Sequence, residues 1–247
     1  MEGLPDMERR RDDSSLPHLP SDPQGKRWPD TPWSLLLRWK SLGDADRKGA
    51  LDRILGQYYK PVYRFFQRVL GLHGDDLTNA TQDFFVRFIE KDFLKNLDHQ
   101  GSFRAFLKVA CRRHYLNWME KNRPRAVALE GTPEPAMPAD RSDALLDEEL
   151  RKDYLDGALD RVRARLREEG KDVYVQVLEA RMRRDEEGRA PELAAIAREV
   201  GRGVYDVRNY LTKVRALFRE ALHEIAMERT EQPREELEEL GLLRFAP

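Results

Sequence analysis

Apolar residues spaced three and four apart, in one segment after another, commit this chain to helices. The longest run covers residues 44–70, where Leu51, Ile54, Leu55, Tyr58, Val62, Phe65, Phe66 and Val69 keep the period. Pro61 lies inside the run and lacks a backbone donor, which predicts a kink or a split near Tyr59–Lys60. A second helix is expected from Asp75 or Asp76 to about Phe93, with its aspartates where the helix dipole favours negative charge. Leu77, Ala80, Thr81, Phe84, Phe85 and Phe88 form its seam, and Asn79, Gln82, Asp83, Val86 and Glu90 the opposite face. Before these, Thr31 can cap a helix that opens on Pro32 and continues through Trp33, Leu36, Leu37 and Lys40. Residues 1–30 mix Pro, Ser, Asp and Arg without a period and read as a disordered arm.

The stretch from Phe103 to Arg123 follows a short loop, with Ser102 as its N-cap. Phe103, Phe106, Leu107, Ala110, Cys111, His114 and Trp118 fall on one side. Arg104, Lys108, Arg112, Tyr115, Met119 and Arg123 fall on the other. Cations beside an aromatic ring suit a polyanion, the charges for phosphates and the ring for a base. A plain solvated face has the same composition; a second basic helix near the C-terminus favours the polyanion.

Residues 124–142 carry four prolines and Gly131 with little apolar period, which predicts a linker. It divides an all-α chain into two helical domains, 31–123 and 143–229. The second opens with a heavily charged helix over 143–169, stopped by Gly170, and a helix from Asp172 follows. Pro191 then opens a short helix through Leu193, Ile196, Ala197 and Val200. Gly201-Arg202-Gly203 makes a turn, and a long helix spans 204–228, the pattern of a helix-turn-helix. An ordinary helical hairpin reads the same way. Tyr205, Arg208, Asn209, Thr212, Lys213, Ala216 and Arg219 point away from the apolar seam, and Arg, Asn and Thr donate to base edges and phosphates. The acidic tail, 230–247, is either a short docking helix or frayed.

Lys and Arg number 44 against 45 Asp and Glu, yet the charges are segregated. A neutral total with basic segments permits a local nucleic-acid surface. Cys111 is the single cysteine, which excludes an internal disulfide and a cysteine metal cage. The five histidines show no metal-ligand spacing. His73, Asp75, Asp76 and Asp83 could be imagined as a carboxylate site, but the helix dipole explains the two aspartates more simply. There is no phosphate loop, dinucleotide glycine motif or serine elbow. The expectation is a protein that is not an enzyme, with no catalytic residue, metal or cofactor. The polar N-terminus reads as no signal peptide, and no run is apolar enough for a membrane span, so a soluble cytoplasmic protein is expected.

Three stretches resemble a bacterial RNA polymerase sigma factor of the extracytoplasmic-function type. Thr81-Gln82-Asp83-Phe84-Phe85 is similar to a motif of region 2. Gly101-Ser102-Phe103-Arg104-Ala105-Phe106-Leu107, with Arg112 and Asn117, is similar to the helix that melts and reads the −10 promoter element. Gly201 to Glu220 is similar to the region 4 helix-turn-helix that reads the −35 element. Asn79-Ala80 stands where the family usually has Asp-Leu.

The resemblance implies −10 contacts from Asn96, Arg104, Lys108, Arg112, Tyr115, Asn117 and Arg123. It implies −35 contacts from Arg202, Tyr205, Arg208, Asn209, Thr212 and Lys213. Asn79, Gln82, Asp83, Val86 and Glu90 would meet core RNA polymerase at the β′ clamp helices, with the β flap as a further contact. Promoter DNA and an anti-sigma factor are the other implied partners; no membrane is. Two alternatives stand beside this one: a stand-alone helix-turn-helix regulator, and a sigma-like interaction protein that binds polymerase without reading promoters.

Overall fold

The structure, a computed structural model, describes residues 31–37, 42–90, 102–122 and 137–245. These form nine α-helices and a terminal 3₁₀ turn, with no strand among the described residues. The helices are α1 (Pro32–Leu37), α2 (Asp44–Leu70), α3 (Gly74–Glu90), α4 (Phe103–Lys121), α5 (Ala139–Glu168), α6 (Asp172–Met182), α7 (Leu193–Val200), α8 (Val204–Arg229) and α9 (Pro233–Glu239), and the turn is Leu243–Phe245. The chain is all-α, as the apolar period predicts.

Pro61 does not split α2, which is assigned as one helix on both sides of it. An interior proline costs a helix about 3 kcal/mol. Tyr58, Val62, Phe65 and Phe66 flank it and are fully packed. Each such side chain contributes roughly 1.5–3 kcal/mol on burial, so the surrounding core outweighs the lost backbone bond. Ser102 caps α4 as expected, its hydroxyl oxygen accepting from the Ala105 N–H at 3.2 Å.

α5 organises the molecule. It starts at Ala139, four residues inside the stretch expected to be linker, with Pro138 as the preceding N-cap residue. Its fully buried line is Leu146, Leu150, Tyr154, Ala158, Val162 and Leu166. Residues four apart advance 400° against a turn of 360°, so this line drifts about 40° per step and about 200° over its length. One helix therefore buries its first half against α2 and α4 and its second half against α6 and α8. A single apolar core results, running from Leu36 and Ile54 through α5 to Leu222 and Leu242. The predicted division at 124–142 does not interrupt that core. A separate small core joins Val177, Ala180, Ile196, Ala197, Val207 and Leu211 of α6, α7 and α8.

Ion pairs line the seams of α5. Lys60 and Arg64 reach Asp156, and Arg68 reaches Glu148 and Glu149, so numbers rise along α2 as they fall along α5 and the two helices are antiparallel. Arg161 and Arg165 pair with Glu228 and Glu224 of α8 in the same antiparallel sense. Gly157 faces α8: a Cβ there would stand 3.3 Å from Ile225 Cδ1. The tail is docked. Leu237, Leu240 and Leu242 are buried, and Arg151 donates to the Leu240 carbonyl at 2.6 Å. Thr31 donates to the Glu231 carboxylate at 2.7 Å, tying the chain's first described residue to the tail.

Candidate nucleic-acid interface

α6, α7 and α8 hold the first candidate surface. α7 ends at Gly201, whose φ of 64° is left-handed and whose N–H donates to the Ala197 carbonyl. Arg202 N–H bonds to the same carbonyl at 3.0 Å, which closes the turn. A side chain at position 201 would be strained there. Gly203 is the N-cap residue of α8, and its N–H donates to the Asp206 carboxylate at 3.2 Å. Glycine offers no hydroxyl to return that bond, so only half of a capping box exists.

The small core of α6, α7 and α8 holds Val207 and Leu211 inward and leaves the opposite side of α8 bare. Arg202, Tyr205, Arg208, Asn209, Thr212 and Lys213 are all exposed, as the period predicts. Tyr205 is 76% exposed, an unusual cost for a large ring with no packing to offset it. Among the described residues Arg202, Arg208 and Lys213 have no carboxylate partner. The Thr212 hydroxyl donates to the Arg208 carbonyl at 3.0 Å, within the helix.

The second expected surface is arranged differently. Arg104 is only 6% exposed and meets three carboxylates: Asp147 at 3.0 Å, Glu236 at 3.2 Å, and Glu239. Lys108 Nζ lies 2.6 Å from Asp147, and Arg112 lies 3.1 Å from Asp143. Tyr115 is buried, and its hydroxyl oxygen accepts from the Met137 N–H at 3.4 Å. The basic face expected to stand open on α4 is thus covered by α5 and α9, a correction to its expected exposure. Helical period sorts residues onto two sides; it does not reveal that a later helix covers the second. The signal was present: Asp143 and Asp147, one turn apart, match Arg104, Lys108 and Arg112 at the same rise on an antiparallel neighbour. Asn117 is exposed, while Asn96, Arg123 and the Glu90 side chain lie outside the described residues.

Burial raises the Glu236 carboxyl above the usual range, and the Arg104 charge opposes that rise. Arg229 is also enclosed. Its guanidinium sits 4.5 Å from the Tyr154 ring and 5.7 Å from the Tyr58 ring, and donates to Asp153 at 2.8 Å. Several of the chain's cations are therefore spent on its own helix seams, unlike Arg202, Arg208 and Lys213.

On α3 the seam and the outer face divide as expected. Thr81, Phe84 and Phe85 are buried, and Asn79, Gln82, Asp83 and Val86 are exposed. Asp83 accepts from Arg87 Nε at 2.8 Å, one turn on. Val86 is 49% exposed, an apolar side chain on a surface that no described helix covers. Behind this face His114 packs between the Phe66 and Phe84 rings, with centroids 5.1 and 5.5 Å away. Desolvation lowers its pKa, chiefly against the nearby Asp83 charge. Cys111 is buried, and burial pushes its thiol pKa well up, as for an inert packing residue. Among the described residues no cluster of His, Cys, Asp and Glu could hold a metal ion, and no helix is long and apolar enough to cross a membrane.

Fold and surface together define an all-helical protein with one open cationic helix face and one that is internally neutralised. The chain matches no family model, no curated protein and no solved structure.

Proposed function

We propose that this protein is a sigma-type transcription initiation factor that reads duplex DNA with the N-terminal half of α8. The observation that carries this reading is the bare, unpaired face of Arg202, Tyr205, Arg208, Asn209, Thr212 and Lys213, held outward by a short helix and a glycine turn. In a helix-turn-helix the second helix lies in the major groove with its first turns on base edges. Arg and Asn there read guanine and adenine, and Lys and Thr add phosphate contacts. The α3 surface of Asn79, Gln82, Asp83 and Val86 supplies a weakly charged docking face for core RNA polymerase, at the β′ clamp helices.

Under this reading α4 engages the unpaired −10 strand. Arg104, Lys108 and Arg112 already hold carboxylates, so α5 and α9 must leave α4 before those cations meet phosphates. The arrangement described here is then the closed form, and polymerase docking or DNA supplies the free energy of opening. The test is copurification with core polymerase followed by promoter-dependent transcription from purified components. No retention on core polymerase ends the sigma reading.

A second reading is favoured by the same internal neutralisation. A stand-alone helix-turn-helix regulator needs only α8, and the continuous core through α5 would serve it as a rigid body. Sequence-specific duplex binding by the free chain, with no affinity for core polymerase, selects that reading instead.

A further inference from the structure

We propose that the protein carries a binding site for a long-chain amphipathic anion, of the chemical class of a fatty-acid carboxylate, in the cleft between α5, α6, α8 and the terminal turn. This inference does not rest on the DNA-binding reading. The cleft has a volume of about 440 Å³, within the range of small-molecule sites. Its floor is apolar, built from Leu159, Leu178, Leu211, Val214 and Phe218. The terminal turn closes one end, where the Phe245 ring meets Phe218 edge-on at 6.2 Å.

Four arginines stand around that floor: Arg181, Arg215, Arg219 and Arg244. Among the described residues none has a carboxylate partner. Arg181 donates to the Pro191 carbonyl at 2.9 Å, and the Arg244 guanidinium lies over the Phe245 ring at 4.7 Å. Neighbouring arginines behave otherwise: Arg161, Arg165 and Arg183 each hold a glutamate. Four like charges around one apolar hollow repel each other, and an anion seated between them removes that repulsion.

The lining also selects the body of the ligand. It holds no Asn, Gln, Ser, Thr, Asp or Glu, so its only polar side chains are guanidinium donors and it offers no side-chain acceptor to the amino groups of a nucleobase or the hydroxyls of a sugar. An alkyl chain asks only for apolar contact, and its head group asks for guanidinium. An extended acidic peptide helix would need an open trough, whereas the turn at Leu243–Phe245 walls this one.

The probe is dodecanoate below its micellar concentration, titrated calorimetrically into the full-length chain, with dodecyltrimethylammonium as a control of equal length and opposite charge. Dodecanoate should bind at one saturable site and raise the melting temperature, while the cation should give no saturable heat. The double variant Arg215→Gln/Arg219→Gln should lose at least about tenfold in affinity, since both residues would donate charge-assisted bonds to the head group. Both positions are exposed, so the fold should survive; if melting shows that it does not, Arg244→Gln must meet the same requirement. Equal binding of the cation, undiminished affinity in the variants, or no binding of dodecanoate overturns the proposal. So does a site that takes only duplex DNA or an acidic peptide.

Discussion

Asp147→Asn is the sharpest probe of the closed arrangement, because one carboxylate serves two cations of α4. Asp147 accepts from Arg104 at 3.0 Å and from Lys108 at 2.6 Å. Charge-assisted bonds contribute about 1.5–3 kcal/mol each. Two corrections lower the sum. Arg104 keeps Glu236 and Glu239, and Lys108 is 19% and Asp147 20% exposed, so water partly replaces what is lost. The expected net loss is about 2 kcal/mol, more than a surface pair and less than a sealed one. For a chain of this size that lowers the melting temperature by about 4–8 °C. Thermal unfolding followed by circular dichroism measures it. A second readout should move the opposite way. Releasing Lys108, whose carboxylate partner is Asp147, should tighten binding of a single-stranded oligonucleotide and steepen its salt dependence by about 0.7 in log–log slope. A variant that melts within about 1 °C of the parent, or that melts lower with no gain on single strands, would show that Asp147 does not clasp a nucleic-acid face.

Arg208→Ala should weaken specific duplex binding by about 1–3 kcal/mol in fluorescence anisotropy while leaving the melting temperature unchanged, since the side chain is exposed and unpaired. Asp83→Arg should reduce retention on core polymerase and cost less than about 0.5 kcal/mol of stability, because its only described ion pair is the exposed one with Arg87. His114 has a lowered pKa in the folded state, so the unfolded chain takes up its proton first as pH falls. Its contribution is therefore present above about pH 6.5 and is lost as pH drops below that. His114→Phe, which removes the titrating group, should flatten the denaturant midpoint across that window; a parent and variant with parallel pH profiles would refute the assignment.

Much of the helical architecture was legible in residue order. The period of apolar side chains located the seams of α2, α3, α4 and α8, because a helix repeats its face every three to four residues whatever it packs against. Ser102 as a cap and Gly201 as a left-handed turn were readable for the same reason: both are decided by their immediate backbone. The exposed set on α8 followed directly, since only the inward side of that short-helix, turn, long-helix unit is apolar.

What period cannot report is which helix covers a polar face, and there the tertiary structure decided. Arg104, Lys108 and Arg112 look identical in sequence to cations awaiting a phosphate. Only the antiparallel passage of α5, with Asp143 and Asp147 in register, and the docking of α9, with Glu236 and Glu239, turn them into internal ion pairs. The same passage made one core of two predicted halves, because a buried line with a four-residue repeat winds around its helix and so meets neighbours on both sides. Pro61 stayed inside a helix because burial around it exceeds the cost of one missing donor. Local chemistry chose the helices; long-range packing of opposite charges chose which of their faces remain open.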